Sequence, residues 1–327
     1  MTIKTVVDSV RDAMYEEMVD DERVFVLGED VAVKGGVFLA TDGFLDDFGE
    51  SRVIDTPLSE SAIAGIALGA ALNGMRPIAE IQFADFIWPT INQIVGEAAR
   101  ARYGSNGKLS VPLVARTPYG GGVRGALYHS QSVEVIFAHT PGLKVVAPAT
   151  PYDAKGLLKS AIRDDDPVIF LEHKRTYRLV RGEVPDEEYT LPIGCAEVKF
   201  EGEDVSVITY GLMVHHCLEA AQDLAEDGIS VEVVDLRTLR PLDTLAILRT
   251  ATKTGKVLIV HEDTKTGGIG GEVAAIISEH AFEHLDGPVT RLAGPEVPAM
   301  PFSPPLEATF MQDSKKIADA VRSLAFY

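Results

Sequence analysis

Cysteine is almost absent. Cys195 and Cys217 are the only two in 327 residues, so no disulfide framework exists and a reducing cytoplasm is the expected compartment. Basic residues are also scarce, with 30 Lys and Arg against 49 Asp and Glu, for a formal net charge of −19. That balance argues against nucleic acid and anionic membrane surfaces as partners, but identifies no substrate. Long hydrophobic runs are missing. The longest apolar-rich stretch lies within DTPLSESAIAGIALGAALNG, residues 55–74, and is interrupted by Gly65 and Gly69. It falls well short of the roughly 20 residues that cross a bilayer. The opening MTIKTVVDSVRDAMYEEM lacks the apolar core and cleavage site of a signal peptide. Neither a short-period repeat nor a low-complexity tract is evident.

What is present is the composition of an ordinary globular protein, 46% hydrophobic and 24% charged, with a length that suits two domains. Val6, Val7, Val10, Met14 and Met18 form one apolar helical face. Strands are expected at VFVLGED, RVID, RPIAEIQ, VPLVAR, LKVVAP and PVIFLE, with helices beginning near Ser59, Asp85, Gln131 and Pro151. This alternation predicts an α/β fold, a parallel sheet covered by helices. After about residue 175 the texture changes to a linker with some edge structure, RLVRGEVPDEEYTLPIGCAEVKFEGED. A second alternating series follows: VSVITYG, a helix from Met213, VEVVDL, a helix from Asp243, KVLIV, a helix near Gly270, PVTRL, and a last helix over Lys315–Leu324. The expected domains are therefore 1–187 and 188–327, each with a parallel-sheet core.

Three segments carry candidate chemistry. Glu60 opens the small-residue run of residues 55–74. It is either a first-turn acid behind a Ser59 cap, complementing the helix dipole, or a carboxyl group placed to exchange a proton with a ligand. In YGGGVRGALYHSQS, residues 119–132, glycines let backbone approach another molecule closely, and His129 closes the loop before a helix. No Gly-Lys-Ser/Thr follows, so this is not a phosphate loop. EIQFADFIWP, residues 80–89, places Phe83, Phe86 and Trp88 after a strand, as core or as a platform for a flat heterocycle. The ends of parallel strands are where open α/β sheets place ligands, and Glu60 and His129 share that expected location.

Other segments are weaker. KVLIVHEDTKTGGIGGEVAAI, residues 256–276, has the strand, glycine loop and helix of a nucleotide site without the G-x-G-x-x-G spacing, which disfavours a Rossmann oxidoreductase. His215, His216 and Cys217 are adjacent, and neighbours on a helix point about 100° apart, so they do not easily share one ion. Asp164, Asp165 and Asp166 fit a solvated helix end before Pro167.

Taken together, DTPLSESAIAGIALGAALNGMRPIAEIQFADF, GGGVRGALYHSQS, PGLKVVAPATPYDAKGLLKSAIRDDDPVIFLE and VVDLRTLRPLD resemble the beta subunits of thiamine-diphosphate-dependent 2-oxo acid dehydrogenases over essentially the whole chain. QFADFIWP and ALYHSQS are most similar to the branched-chain (2-oxoisovalerate) type, with pyruvate or acetoin dehydrogenases next. The resemblance implies a pyrimidine-binding domain followed by a transketolase C-terminal domain. It implies that Glu60 hydrogen-bonds the cofactor's aminopyrimidine, that Phe86 and Gln82 lie against that ring, and that His129 serves acyl transfer to a lipoyl arm. A carboxyl group buried beside Ile63 and Ile66 would be raised by desolvation. No Gly-Asp-Gly occurs in the chain, so the Mg²⁺ and diphosphate half of the site is expected from an alpha subunit, in an α2β2 heterotetramer working with a dihydrolipoyl acyltransferase. The resemblance also implies a potassium site at Leu113, Ala161, Ile162, Asp164 and Asp166. Asn92 and Gly96 depart from the family pattern, where aspartate and asparagine are common. A non-catalytic stabilising subunit is the alternative from another class.

Overall fold

A strand buried on both faces reads as a continuous apolar run, and Val24–Gly28 and Val168–His173 are buried at every residue. In the computed structural model, which describes residues 1–327, these strands belong to the first of two compact units, Met1–Tyr119 with Ile136–Ile193. Its parallel strands lie in the order Lys144–Val146, Val168–His173, Val114–Tyr119, Arg76–Glu80, Val24–Gly28, Val53–Asp55. Strand order thus reverses at Val24–Gly28, which has Val53–Asp55 on one side and Arg76–Glu80 on the other.

Helix Val6–Asp20 starts on a capping box: Thr5 Oγ1 accepts the Asp8 N–H at 3.2 Å, and Asp8 accepts the Thr5 N–H at 3.1 Å. Its apolar face packs on helix Pro151–Arg163, and Glu16 takes the ammonium groups of buried Lys155 and Lys159 at 2.6 and 2.9 Å. The helix expected from Asp85 is broken instead. Short 3₁₀ turns at Ala84–Phe86 and Trp88–Thr90 lead into a π-helical turn, Asn92–Ala98, before α-helix resumes at Ala99–Gly104. Pro89 inside this run removes a backbone donor. The helix expected at Gln131 is only Glu134–Ala138.

Arg116, on the central strand Val114–Tyr119, is 1% exposed. Its guanidinium lies between Glu80 on one neighbouring strand and Glu172 on the other, the latter a two-point contact at 2.8 and 2.7 Å. Tyr177 donates its hydroxyl to Glu172 at 2.5 Å. Burial pushes the Glu80 carboxyl up and the Glu172 charge adds to this, with Arg116 opposing both.

The second unit comprises Gly120–Val135 and Gly194–Tyr327. Its strands run Thr290–Gly294, Val257–Thr264, Val205–Thr209, Val231–Asp235, all parallel, with antiparallel Glu197–Phe200 at the edge. Helices Leu212–Glu226, Thr244–Thr254, Ile269–His280 and Ser314–Ala325 accompany it. Asp243 and Asp313 cap two of them, accepting the N–H groups of Ala246 and Lys316 at 2.9 and 2.8 Å.

Arg116→Met leaves two carboxylates buried without their cation. Denaturant unfolding should show a loss of about 3–5 kcal/mol, the cost of breaking a buried pair from one side.

Candidate active site

Ligands of open parallel sheets collect beyond the carboxyl ends of the strands, at the point of reversal. In the first unit Glu29 follows that strand directly. Glu29 is 8% exposed, and its Oε1 has no hydrogen-bond partner. Burial raises its carboxyl, the charges of Glu60 and Asp30 raise it further, and the Ser59 N–H opposes them. Gln82, just past Arg76–Glu80, donates Nε2 to the Glu29 carbonyl at 3.2 Å. Glu29, which sequence reasoning missed among the acids of GED, is therefore the residue on which Glu60 and Gln82 converge.

Glu60 is the first residue of helix Glu60–Leu72. Ser59 stands at the N-cap without a side-chain capping hydrogen bond, and Glu60 is the acid of the first turn. Ser61 Oγ instead donates to the Pro89 carbonyl at 2.9 Å, tying the helix start to the turn that follows Phe86. The expected burial of Glu60 between Ile63 and Ile66 is only half met: Ile63 is 1% exposed, Ile66 is 53% exposed, and Glu60 is half-buried. Phe86 meets Phe83 edge-on at 5.9 Å between ring centroids, Phe83 meets Phe38 at 5.7 Å, and Phe38 meets Tyr177 at 4.9 Å. This aromatic chain runs from the Arg116 cluster to Phe86.

His129 belongs to the second unit, half-buried at the end of the 3₁₀ turn Ala126–Tyr128. Gly125 is required there. A Cβ on it would lie 2.4 Å from the His129 carbonyl oxygen and 2.8 Å from the His129 Cβ. The loop ends at Glu134, fully buried, whose Oε1 accepts the Tyr210 hydroxyl at 2.6 Å while Oε2 has no partner. Burial, then the charge of Asp263, pushes the Glu134 carboxyl up to about 8.

The glycines of residues 267–271 have a different task. A Cβ on Gly268 or Gly270 would come within 2.6 or 2.7 Å of the buried His261 ring, so they make room for a histidine rather than a nucleotide. Burial lowers His261 to about 4. Cys217 is buried in its helix, and neither it with His215 and His216 nor any other three His, Cys, Asp or Glu are arranged to hold a metal ion.

The five residues of the expected potassium site are engaged elsewhere. The Ile162 carbonyl accepts Arg76 Nη1 at 3.0 Å, the Leu113 carbonyl accepts the Val168 N–H at 2.9 Å, and the Ala161 carbonyl accepts the Asp164 N–H at 3.3 Å. Asp164 takes the Lys144 ammonium at 2.5 Å, and Asp166 pairs with Arg102. The side chains of Arg76, Lys144 and Arg102 thus pair with this loop.

A family model described as transketolase, pyrimidine binding domain, matches residues 4–180, and one described as transketolase, C-terminal domain, matches 194–317. Over 325 residues the chain is 63% identical to the 2-oxoisovalerate dehydrogenase subunit beta of Bacillus subtilis (strain 168), covering 99% of each. The chain belongs to the family of 2-oxo acid dehydrogenase beta subunits. The pyruvate dehydrogenase E1 component subunit beta of Bacillus subtilis (strain 168) is 49% identical over 324 residues, 99% of each chain. That of Staphylococcus aureus is 48% identical over 293 residues, 90% of each. A solved structure, a split gene transketolase described as an inactive beta4 tetramer, shares the fold with a TM-score of 0.80 at 23% identity over 98% of each chain. In this family setting, the two domain types match the two α/β sheets.

The raised Glu134 of this beta subunit has a signed consequence for stability. Between its ordinary value of 4.5 and about 8 the folded chain holds a proton that the unfolded chain releases, so this group's contribution is lost as pH rises through about 8. Thermal melts should show Glu134→Gln gaining on wild type as pH is raised from about 6 to about 8.5.

Proposed function

We propose that this beta subunit forms the aminopyrimidine half of a thiamine diphosphate site. With an alpha subunit it would carry out oxidative decarboxylation of a branched-chain 2-oxo acid and reductive acylation of a lipoyl domain. The observation that carries the reading is the pairing of Glu29 and Glu60 at the reversal point, beside Gln82 and Phe86, in a chain with no Gly-Asp-Gly motif. The partnerless Glu29 oxygen and the half-exposed face of Phe86 suit a flat ring bearing nitrogen donors and acceptors. When bound, thiamine diphosphate supplies a carbon nucleophile for the 2-oxo group and an electron sink for decarboxylation.

The chain's own residues handle protons and orientation. Glu60 would hold the aminopyrimidine through a hydrogen bond to a ring nitrogen and so orient its amino group. Burial, then the charge of Glu60, raises the Glu29 carboxyl, which would place a second acid beside the ring. Phe86 offers its face to the ring. His129 delivers a proton to the lipoyl dithiolane as the acyl group is transferred. Mg²⁺ and the diphosphate are left to the alpha subunit, in an α2β2 assembly that docks a dihydrolipoyl acyltransferase. No helix is long and apolar enough to cross a membrane, and both cysteines are free, which suits a cytoplasmic complex.

The branched-chain substrate is preferred to pyruvate because of the 63% identity to a protein named 2-oxoisovalerate dehydrogenase, against 49% for one named pyruvate dehydrogenase. A purely stabilising subunit would have no need of a buried acid raised beside a second acid at the strand ends.

Purified alone, the chain should turn over no 2-oxo acid, and activity should appear on mixing with an alpha subunit that carries Gly-Asp-Gly. Robust turnover by the isolated chain would reject the half-site. Glu60→Gln should assemble normally yet lose decarboxylation. A residual rate above about a tenth of wild type, under 1.4 kcal/mol of barrier, removes Glu60 from the proton-handling role.

A further inference from the structure

The second sheet has its own reversal point. Val205–Thr209 lies between Val231–Asp235 and Val257–Thr264, and the carboxyl ends of the strands supply Tyr210 and Glu262. In such a crevice an α/β sheet ordinarily receives a ligand. Here the protein's own loop, residues 120–135, occupies it.

The base of the loop is gripped by carboxylates. Glu262, 4% exposed, accepts the Gly121 N–H at 2.5 Å. Glu307, 7% exposed on helix Pro304–Phe310, accepts the N–H groups of Gly122 and Arg124, both at 3.0 Å. Gly122 at φ +79° and Arg124 at φ +58° turn those two N–H groups toward one oxygen, a backbone nest for an anion. Gly121 packs against the flexible ends of Met300 and Met311, where an added Cβ would lie 2.5 Å from Met300 Cε. At the far end Tyr210 donates to Glu134, and Gly120 N–H to the Gln131 carbonyl at 3.0 Å closes the loop. Between these fixed ends the apolar side chains face outward: Val123, Leu127 and Tyr128 are 43%, 54% and 68% exposed. Little apolar burial holds the loop, so its polar anchors must define its position.

We propose that Glu262 and Glu307 are positioning residues for His129, holding its loop in the crevice of the second sheet through three backbone N–H groups. The importance of that position rests on the acyl-transfer role proposed for His129; the clamp itself does not. Loss of a backbone N–H hydrogen bond to one of these carboxyl groups should raise the population of a released loop about tenfold.

The test uses the full chain and the assembled enzyme. Arg124 is exposed, so trypsin cleavage after it, read by mass spectrometry, reports release of the loop. Glu307→Ala should raise that cleavage about tenfold. In the assembled enzyme it should lower reductive acylation of a lipoyl domain about tenfold, and decarboxylation with an artificial acceptor by much less. Glu307→Gln, which keeps the acceptor oxygen and the shape, should fall between, and a Glu262→Gln variant should resemble it. Wild-type cleavage in all three variants overturns the proposal. So does a loosened loop with full acylation when His129→Ala, assayed in parallel, loses acylation. Should His129→Ala acylate normally, the histidine role is lost and cleavage alone decides the clamp.

Discussion

A guanidinium removed from water has to be matched by carboxylates, and Arg116 is matched by one from each neighbouring strand, Glu80 and Glu172. A one-residue slip of either strand would turn its carboxylate to the opposite face of the sheet. The cluster therefore sets where three strands end relative to one another. Gln82 and Phe83 leave the sheet just after Glu80, and Lys174, just after Val168–His173, stands over the Phe83 ring at 5.8 Å. The aromatic path from Tyr177 through Phe38 and Phe83 carries that registration to Phe86. Loss of the arginine would remove the charge that holds this registration.

Acids gather at both reversal points, and the two groups behave differently because their surroundings differ. Glu29 is buried beside Glu60 with an oxygen left open, an arrangement that favours proton exchange. Glu262 and Glu307 face backbone N–H groups, an arrangement that grips the chain. Glu134 combines both circumstances, buried near Asp263 yet bonded to Tyr210. The same residue type thus has a raised carboxyl in one crevice and grips a loop in the other.

Much of this was legible in the residues. Apolar strand runs alternating with helices foretold two parallel sheets, and the first helix was visible in Val6, Val10, Met14 and Met18 because its buried face repeats with helical period. The glycine spacing at 267–271 departs from a dinucleotide pattern; that these glycines clear space for His261 was hidden, since no local pattern announces a buried ring. The stretch after Gln82 resisted reading because two 3₁₀ turns and a π turn keep helical composition while abandoning α-helical hydrogen bonding. Glu29, Glu134, Glu262 and Glu307 were invisible for a different reason. Each is an ordinary acid in an acidic chain, and only tertiary burial gives it a distinct environment. The cations Arg76, Lys144 and Arg102 around the Asp164–Asp166 loop are likewise contributed from distant segments.

The assignment of residues 120–135 to the second unit means that the chain leaves the first unit, returns to it and leaves again. Evolutionary recombination at the junction near residue 193 would carry off the C-terminal sheet and strand the histidine loop with its former neighbour. A transplanted C-terminal domain would need carboxylates at the right depths to capture a loop encoded more than fifty residues upstream. Separation of the chain at that junction would leave the histidine loop without the carboxylates that hold it.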